Sequence, residues 1–451
     1  MMDRIATLTG ALAGCLAAAT VCADDSEIML RPQATDRLVT NVEYSLTITG
    51  EIATPSDVGP QRFPLKSRGE FRFQNDSTAA AVSRDATALR AVRKFKSAAT
   101  QTTVGTDHTT QVELSAAYRT IFVVGSDKGL VQWSPGYALS RQQLDLLQMP
   151  FDVLTTASLL PTTPLAVGEK WNADAWLIAA LTGIEVAVEQ SATCELISAT
   201  SDKAIVALAG TIKGGVQGST SDVSFDGRMI VDRATGVIES FTGTQKEKRS
   251  PGPVSPGLDV TAVIQWRQTE AKDQDQDAGQ PVEKLPDGQP AAAQLQLVLQ
   301  TPLKLQLRHS REWYLFHETS AVLMLRQLRD GSMISQCNLS AAVTVPPGQF
   351  TPDREFLSDV TDALRDRHAR VVREQTVRED GQWRIRHVQA EGVAADKRIV
   401  WDYYLCAAAT GEQFSIVFSH AKDDADQFKD EASRVLATLQ IVRRRPALPF
   451  R

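Results

Sequence analysis

The sequence predicts a β-rich molecule in two parts, an antiparallel meander first and an α+β unit with two helices on an antiparallel sheet second. Three observations predict it. Apolar residues alternate with a period of two through much of residues 41–266, which marks half-buried strands. A stretch almost free of large apolar side chains interrupts the chain at 270–293. Beyond it, strand-like runs share the chain with two segments of helical period. At 451 residues the chain has room for more than one core, since single cores stop growing near ~250 residues.

The first residues read as an export signal. Arg4 gives a positive start, 5–20 is an uncharged run rich in Ala, Leu and Thr, and Val21-Cys22-Ala23 places small residues before Asp24-Asp25. Cleavage after Ala23 suits this pattern, so 1–23 is expected to be a signal peptide and the mature chain periplasmic or extracellular. A rival reading uses Leu12-Ala13-Gly14-Cys15 as a lipobox, with Cys15 lipidated and the protein anchored to the envelope. The apolar run continues through Val21, where a lipoprotein turns polar. An uncleaved anchor is a third reading. No later segment reaches the ~20 apolar residues of a membrane-spanning helix. Cleavage leaves Cys194, Cys337 and Cys406, each inside an apolar strand-like run, enough for one disulfide at most.

Within the first domain, expected at 24–268, Tyr44, Leu46 and Ile48 alternate before Gly50. So do Ile184, Val186 and Val188, and Ala204, Val206 and Leu208. Val223, Phe225 and Met229 to Val231 lead to the turn Asp232-Arg233-Ala234-Thr235-Gly236, after which Val237, Ile238 and Phe241 run back. Asp first and Gly last supply the side-chain bond and positive φ of a tight hairpin. Ser140-x-x-Gln143 has capping-box spacing, Leu144 and Leu147 share a face, and Pro150 ends that helix. Residues 79–99 fit helix by their Ala content and strand by Val92 and Phe95. The turn at 161–170 is expected to deliver Trp171 and Trp176 into the next strand. These two tryptophans are candidates for a ligand wall, against the plainer reading that they pack the core.

Residues 269–293 read as a flexible linker. The second domain is expected at 294–442, with a tail at 443–451. Leu-rich runs at 295–307, 313–328 and 334–345 read as strands. Thr351 is placed as the cap of a helix with Pro352 first and Phe356, Val360 and Leu364 on its buried face. Three strands follow. In the middle one Ile399, Trp401, Tyr403, Leu405 and Ala407 alternate, and Thr410-Gly411 turns the chain to Phe414, Ile416 and Phe418. A closing helix carries Phe428, Ala432, Val435 and Leu439.

Gln382-Trp383-Arg384-Ile385, Trp401-Asp402-Tyr403-Tyr404-Leu405, residues 411–418 and Leu436-Ala437-Thr438-Leu439 carry a resemblance. In their order of strand and helix they resemble the PsbP-like fold, over about a third of the chain. The whole chain is also similar to exported proteins of planctomycete-type bacteria. The resemblance implies a binding or structural role and transfers no site residue, because it is a pattern of elements without a catalytic signature.

Chemical motifs are sparse. Asp273-x-Asp275-x-Asp277 has alternate carboxylates, but Ala278 and Lys284 stand where a calcium loop needs Gly and Glu, so the run reads as solvated linker. Ser419-x-x-Lys422 has acyl-enzyme spacing at the end of a strand, without partner motifs. His108, His309, His317, His368, His387 and His420 form no metal-ligand spacing. Gly214, Gly215 and Gly218 read as strand punctuation. Arg365, Arg367, Arg370, Arg373, Arg384 and Arg386 are interleaved with acids and read as a mixed solvated face. A net charge of -6 argues against nucleic-acid binding.

The polar side chains therefore look dispersed. No catalytic residue, metal site or cofactor is expected, and the partner is an unidentified protein or small ligand. The sequence supports an exported, non-catalytic binding or structural protein. The alternatives are a periplasmic carrier of an apolar ligand or lipid, and an enzyme of unrecognised type.

Overall fold

The computed structural model describes residues 27–30, 37–55, 59–78, 86–271 and 284–442. The leader with Cys15 and Cys22, the acidic run 273–277 and the tail at 443–451 lie outside the described residues.

The first half is built on one twelve-stranded antiparallel sheet. Its strands are β1 (Leu38–Thr54), β2 (Gln61–Ser77), β3 (Arg90–Val104), β4 (His108–Glu113), β5 (Thr120–Ser126) and β6 (Gly129–Trp133). They continue with β7 (Lys170–Asn172), β8 (Val186–Ala199), β9 (Lys203–Val216), β10 (Ser219–Asp232), β11 (Ile238–Arg249) and β12 (Gly257–Glu270). Strands neighbouring in sequence mostly pair, and β1 joins β12, which gives the order β6-β5-β3-β2-β1-β12-β11-β10-β9-β8-β7 with β4 on β3. The alternation becomes a two-faced sheet. In β10 every second side chain from Ser219 to Val231 is buried and those between are exposed.

The buried face is covered by the segment between β6 and β8. It contains α1 (Arg141–Leu146), α2 (Val153–Thr156) and α3 (Ala175–Thr182). The capping box at Ser140 and Gln143 is formed, and Leu144 and Leu147 are buried. Phe151 stacks on Phe241 at 5.0 Å, and Phe225 and Trp266 complete the aromatic layer. Polar side chains of the sheet receive the segment's backbone: Tyr44 Oη donates to Pro150 O at 2.7 Å and Trp266 Nε1 to Phe151 O at 2.9 Å. Beneath α2, Arg93 and Asp152 form a bidentate buried ion pair at 2.5 and 2.7 Å. Arg93 Nε also donates to Asn75 Oδ1, and Asp152 Oδ1 caps α2 by accepting from Leu154 N at 2.9 Å.

Several sequence expectations change here. Of residues 79–99, left open between helix and strand, 79–85 lie outside the described residues, Ala86–Ala88 form a short 3-10 turn and the chain from Arg90 is strand. Trp176 sits on α3 rather than in a strand, because Ala175–Thr182 is made of good helix formers and ends on Gly183 at φ 78°. Val186 and Val188 lie in β8 but are 54% and 77% exposed, beyond the reach of the covering segment.

The second half carries two smaller sheets. β13 (Leu297–Gln300), β14 (Leu305–His309) and the closing β22 (Gln440–Ile441) form one. The other runs β15-β16-β17-β21-β20-β19-β18. Its strands are β15 (Trp313–Glu318), β16 (Val322–Arg329), β17 (Ser332–Ala341), β18 (Arg370–Glu379), β19 (Trp383–Ala394), β20 (Lys397–Ala408) and β21 (Gln413–Ala421). α4 (Asp353–Ala363) covers one face through Phe356, Val360 and Leu364, against Val388, Trp401 and Leu405. α5 (Ala425–Phe428) and α6 (Glu431–Leu436) cover the other, where Phe428, Ala432 and Val435 meet Tyr404, Cys406 and Phe418.

Pro352, not Thr351, caps α4, since its extended ψ of 141° precedes the first helical turn. Four strands follow, not three: the Arg- and Glu-rich stretch 370–379 is the edge strand β18, whose charges hide a strand pattern. The closing helix is broken at Lys429-Asp430, with Asp430 at φ 65°. Cys194, Cys337 and Cys406 are free thiols in the two cores, and burial pushes Cys194 up to about 12.

The halves meet through Arg141 and Arg311, and also through Lys128 with Asp330 at 3.3 Å and Arg326 with the Pro253 carbonyl. Arg141 Nη2 donates to the carbonyls of Arg311 and Trp313, and Arg311 donates to Leu295 O and Gln132 O. His309 is buried beside them, with Nδ1 2.7 Å from Ser310 O.

Two outcomes follow from this packing. Asp152→Ala leaves the Arg93 charge buried without a partner and should cost about 3–5 kcal/mol in urea unfolding, more than replacing both partners with apolar residues of similar volume. Burial, opposed by the Ser310 carbonyl, pushes His309 down to about 4. The unfolded chain binds that proton near ~6.5, so this stability is full above ~6.5 and lost as pH falls to ~4. His309→Phe should therefore flatten the stability curve in that window by roughly 3 kcal/mol.

Candidate functional site

Alternation in β18–β21 sends one set of side chains under α5 and α6. Ile385, His387 and Gln389 come from β19, Asp402 and Tyr404 from β20, and Phe418 and His420 from β21. Register sets Gln389 opposite Asp402, His387 opposite Tyr404 and Val400 opposite His420. The three strands thus bring His387, Asp402 and His420 together, and each is buried to within 6% of its surface.

Around Asp402 the hydrogen bonds are specific. Oδ1 accepts from His387 Nε2 at 2.7 Å and from Gln389 Nε2 at 2.9 Å. Gln375 Nε2, on β18, lies 3.2 Å from His387 Nδ1. Both ring nitrogens of His387 are therefore engaged. His420 Nδ1 is 2.8 Å from Ala421 O, and its Nε2 faces Asp402 Oδ2 at 3.8 Å. Both imidazoles are held by stacking, His387 on Tyr404 at 4.4 Å and His420 on Phe428 at 4.7 Å. Burial, then the Asp402 charge, pushes the Tyr404 phenol well up.

These groups form the floor of a cleft of about 670 Å³ between β18 and α6, within the usual range of ligand sites. Val377, Ile385, Phe428, Ala432 and Leu436 give it an apolar wall, and Arg373, Arg378, Lys422 and Lys429 stand on its rim with Glu391 and Asp430. Lys422 pairs with Glu391 at 2.7 Å and holds that carboxyl below its ordinary value, and Arg378 pairs with Asp380 at 2.6 Å. Among the described residues no group of three or more His, Cys, Asp and Glu is arranged to hold a metal ion.

Trp171 and Trp176 lie elsewhere, in the first half. Trp171 is half-buried on β7 and donates from Nε1 to Leu159 O at 2.8 Å. Trp176 is half-buried on α3, and both pack against the first core. Neither approaches the cleft. Ser419 and Lys422 are not joined either: the Ser419 carbonyl accepts from Ser335 Oγ, while Lys422 serves Glu391.

The expected dispersal of polar side chains thus fails at the floor of this cleft. A signal was available, because residues 400–408 are apolar on both faces of the strand and Asp402 within them had to be buried and partnered.

No family model and no curated protein matches the sequence. Solved structures similar in part include cyanobacterial PsbP from Synechocystis, 14% identical over 31% of this chain and 88% of that one, with a TM-score of 0.25. Lipovitellin is 8% identical over 57% of this chain and 26% of its own, at a TM-score of 0.28. A porin of Rh. blastica is 6% identical over 85% of this chain and 99% of its own, at 0.13. Scores of this size carry no statement about family or activity.

Asp402→Ala should leave the His387 and Gln389 donors unpaired and lower unfolding free energy by about 2–3 kcal/mol. Asp402→Asn, which keeps a carbonyl oxygen for them, should cost about 1 kcal/mol, read from urea midpoints.

Proposed function

We propose that this chain is an exported, non-catalytic binding protein of the cell envelope, and that its ligand seat is the cleft between β18 and α6. The observation that carries the reading is the floor: three buried polar side chains, two of them stacked on aromatic rings, beneath a cleft with an apolar wall and a charged rim. Orienting groups of this kind fix a ligand, and the apolar wall supplies affinity. Export and the PsbP-like and planctomycete-type likenesses come from the sequence and accompany the proposal.

A carrier role for the first half draws less support. Its buried face is covered by Leu144, Leu147, Phe151 and Leu181, and Trp171 and Trp176 pack against that core. Catalysis is the second reading, favoured by the 2.7 Å His387–Asp402 pair, which has the form of a base held by its orienter. Against it, the other nitrogen of His387 is turned to Gln375 instead of to a nucleophile.

Thermal unfolding of the full chain in an extract of envelope small molecules tests the proposal. A ligand at ~100 times its Kd stabilises by about 2.7 kcal/mol, which raises Tm by several degrees. Ser433→Trp, which fills the cleft from the exposed side of α6, should abolish that rise. An equal rise in wild type and Ser433→Trp would refute the site, and conversion of an extract component by wild type alone would favour catalysis.

A further inference from the structure

Resting on the reading of the cleft as a ligand seat, we infer that it takes an α-amino acid with an apolar side chain, its ammonium lodged between His420 Nε2 and Asp402 Oδ2.

The donor pattern of the floor leads there. A backbone carbonyl only accepts, so the 2.8 Å contact of His420 Nδ1 with Ala421 O puts a proton on Nδ1. Nε2 is left to face Asp402 Oδ2 across 3.8 Å, too long for a direct hydrogen bond. Oδ1 of that carboxylate is already served by His387 and Gln389. A gap of that width between an imidazole nitrogen and a carboxylate oxygen, on the floor of an open cleft, admits a donor that shares its hydrogens between them. An ammonium is such a donor, and the Asp402 charge offsets its own.

The rim and wall choose the rest of the molecule. Four cations line the cleft, which disfavours a simple amine. Arg378 is engaged by Asp380 and Lys422 by Glu391. Arg373 and Lys429 remain, and Arg373, on the edge strand opposite Gln389, has the planar fork that meets a carboxylate bidentately at the mouth. Between floor and rim, Val377, Ile385, Phe428 and Leu436 form a surface for an apolar side chain. A zwitterion with an apolar branch satisfies all three regions at once.

Calorimetric titration of the full chain with L-phenylalanine, 3-phenylpropanoate and 2-phenylethylamine separates the contributions. L-phenylalanine should bind tightest, with 3-phenylpropanoate, which lacks the amine, at least about tenfold weaker. Arg373→Ala should weaken L-phenylalanine about tenfold and leave 2-phenylethylamine unchanged. If 3-phenylpropanoate binds as well as L-phenylalanine, the ammonium slot is wrong, while loss of that binding in Ser433→Trp keeps the cleft as the seat. If none of the three binds, the amino-acid class is overturned, and the extract experiment with Ser433→Trp judges the cleft independently. Finding both His420 nitrogens protonated at neutral pH by ¹⁵N NMR of the free protein would also overturn it, because the ring would then supply the shared donor itself.

Discussion

An antiparallel sheet of twelve strands has one face too apolar to leave in water, and the first half of this molecule is arranged around covering it. The cover is irregular: short helices separated by turns, with many backbone groups that no helix satisfies. Such a segment can be buried only if the sheet supplies donors and acceptors from its own apolar face. Tyr44, Gln132 and Trp266 donate to its carbonyls, and Arg93 takes the Asp152 carboxylate. Arg93 is fully buried, so its charge is tolerable only with that bidentate partner, and the partner comes from the cover. The ion pair therefore specifies where the segment sits, more than it adds to net stability.

The second half meets the same constraint differently. Its central strands are covered on both faces, by α4 on one side and by α5 and α6 on the other. A strand covered twice has no solvent side on which to place polar residues, and each polar residue it contains must find partners inside. Asp402 does so through neighbours in register on β19, while His420 on β21 completes only part of its bonding within the fold. A floor that the fold leaves partly unanswered sits where a cleft opens above it. That coincidence makes the cleft the place to look for chemistry.

Much of the architecture was legible because it rests on period and punctuation. The β10–β11 hairpin, the capping box at Ser140 and the buried stripe of α4 follow from local rules that tertiary packing reinforces. What escaped depended on context. β18 is an edge strand whose Arg and Glu residues read as a solvated run, yet pairing with β19 is what makes it a strand. The break at Asp430 has no proline or glycine to announce it. His387, Asp402 and His420 are separated by 15 and 18 positions along the chain, and only the order β19-β20-β21 brings them together. Spacing rules for metal or catalytic motifs do not reach across strands in this way.

At the seam between the halves the arginines rely more on backbone acceptors than on acids. Two arginines stand side by side there, and their partners are mostly carbonyl oxygens. Burial, then the neighbouring Arg141 charge, pushes Arg311 down to about 10, a sign that its cation is held at some cost. The guanidinium remains charged because its planar fork reaches carbonyls from both halves at once. Backbone acceptors dominate at these two arginines, beside the Lys128–Asp330 pair at 3.3 Å and the Arg141–Asp145 pair at 3.8 Å. Asp402 is spent on the floor and Glu391 on the rim of a cleft that neither Arg141 nor Arg311 lines.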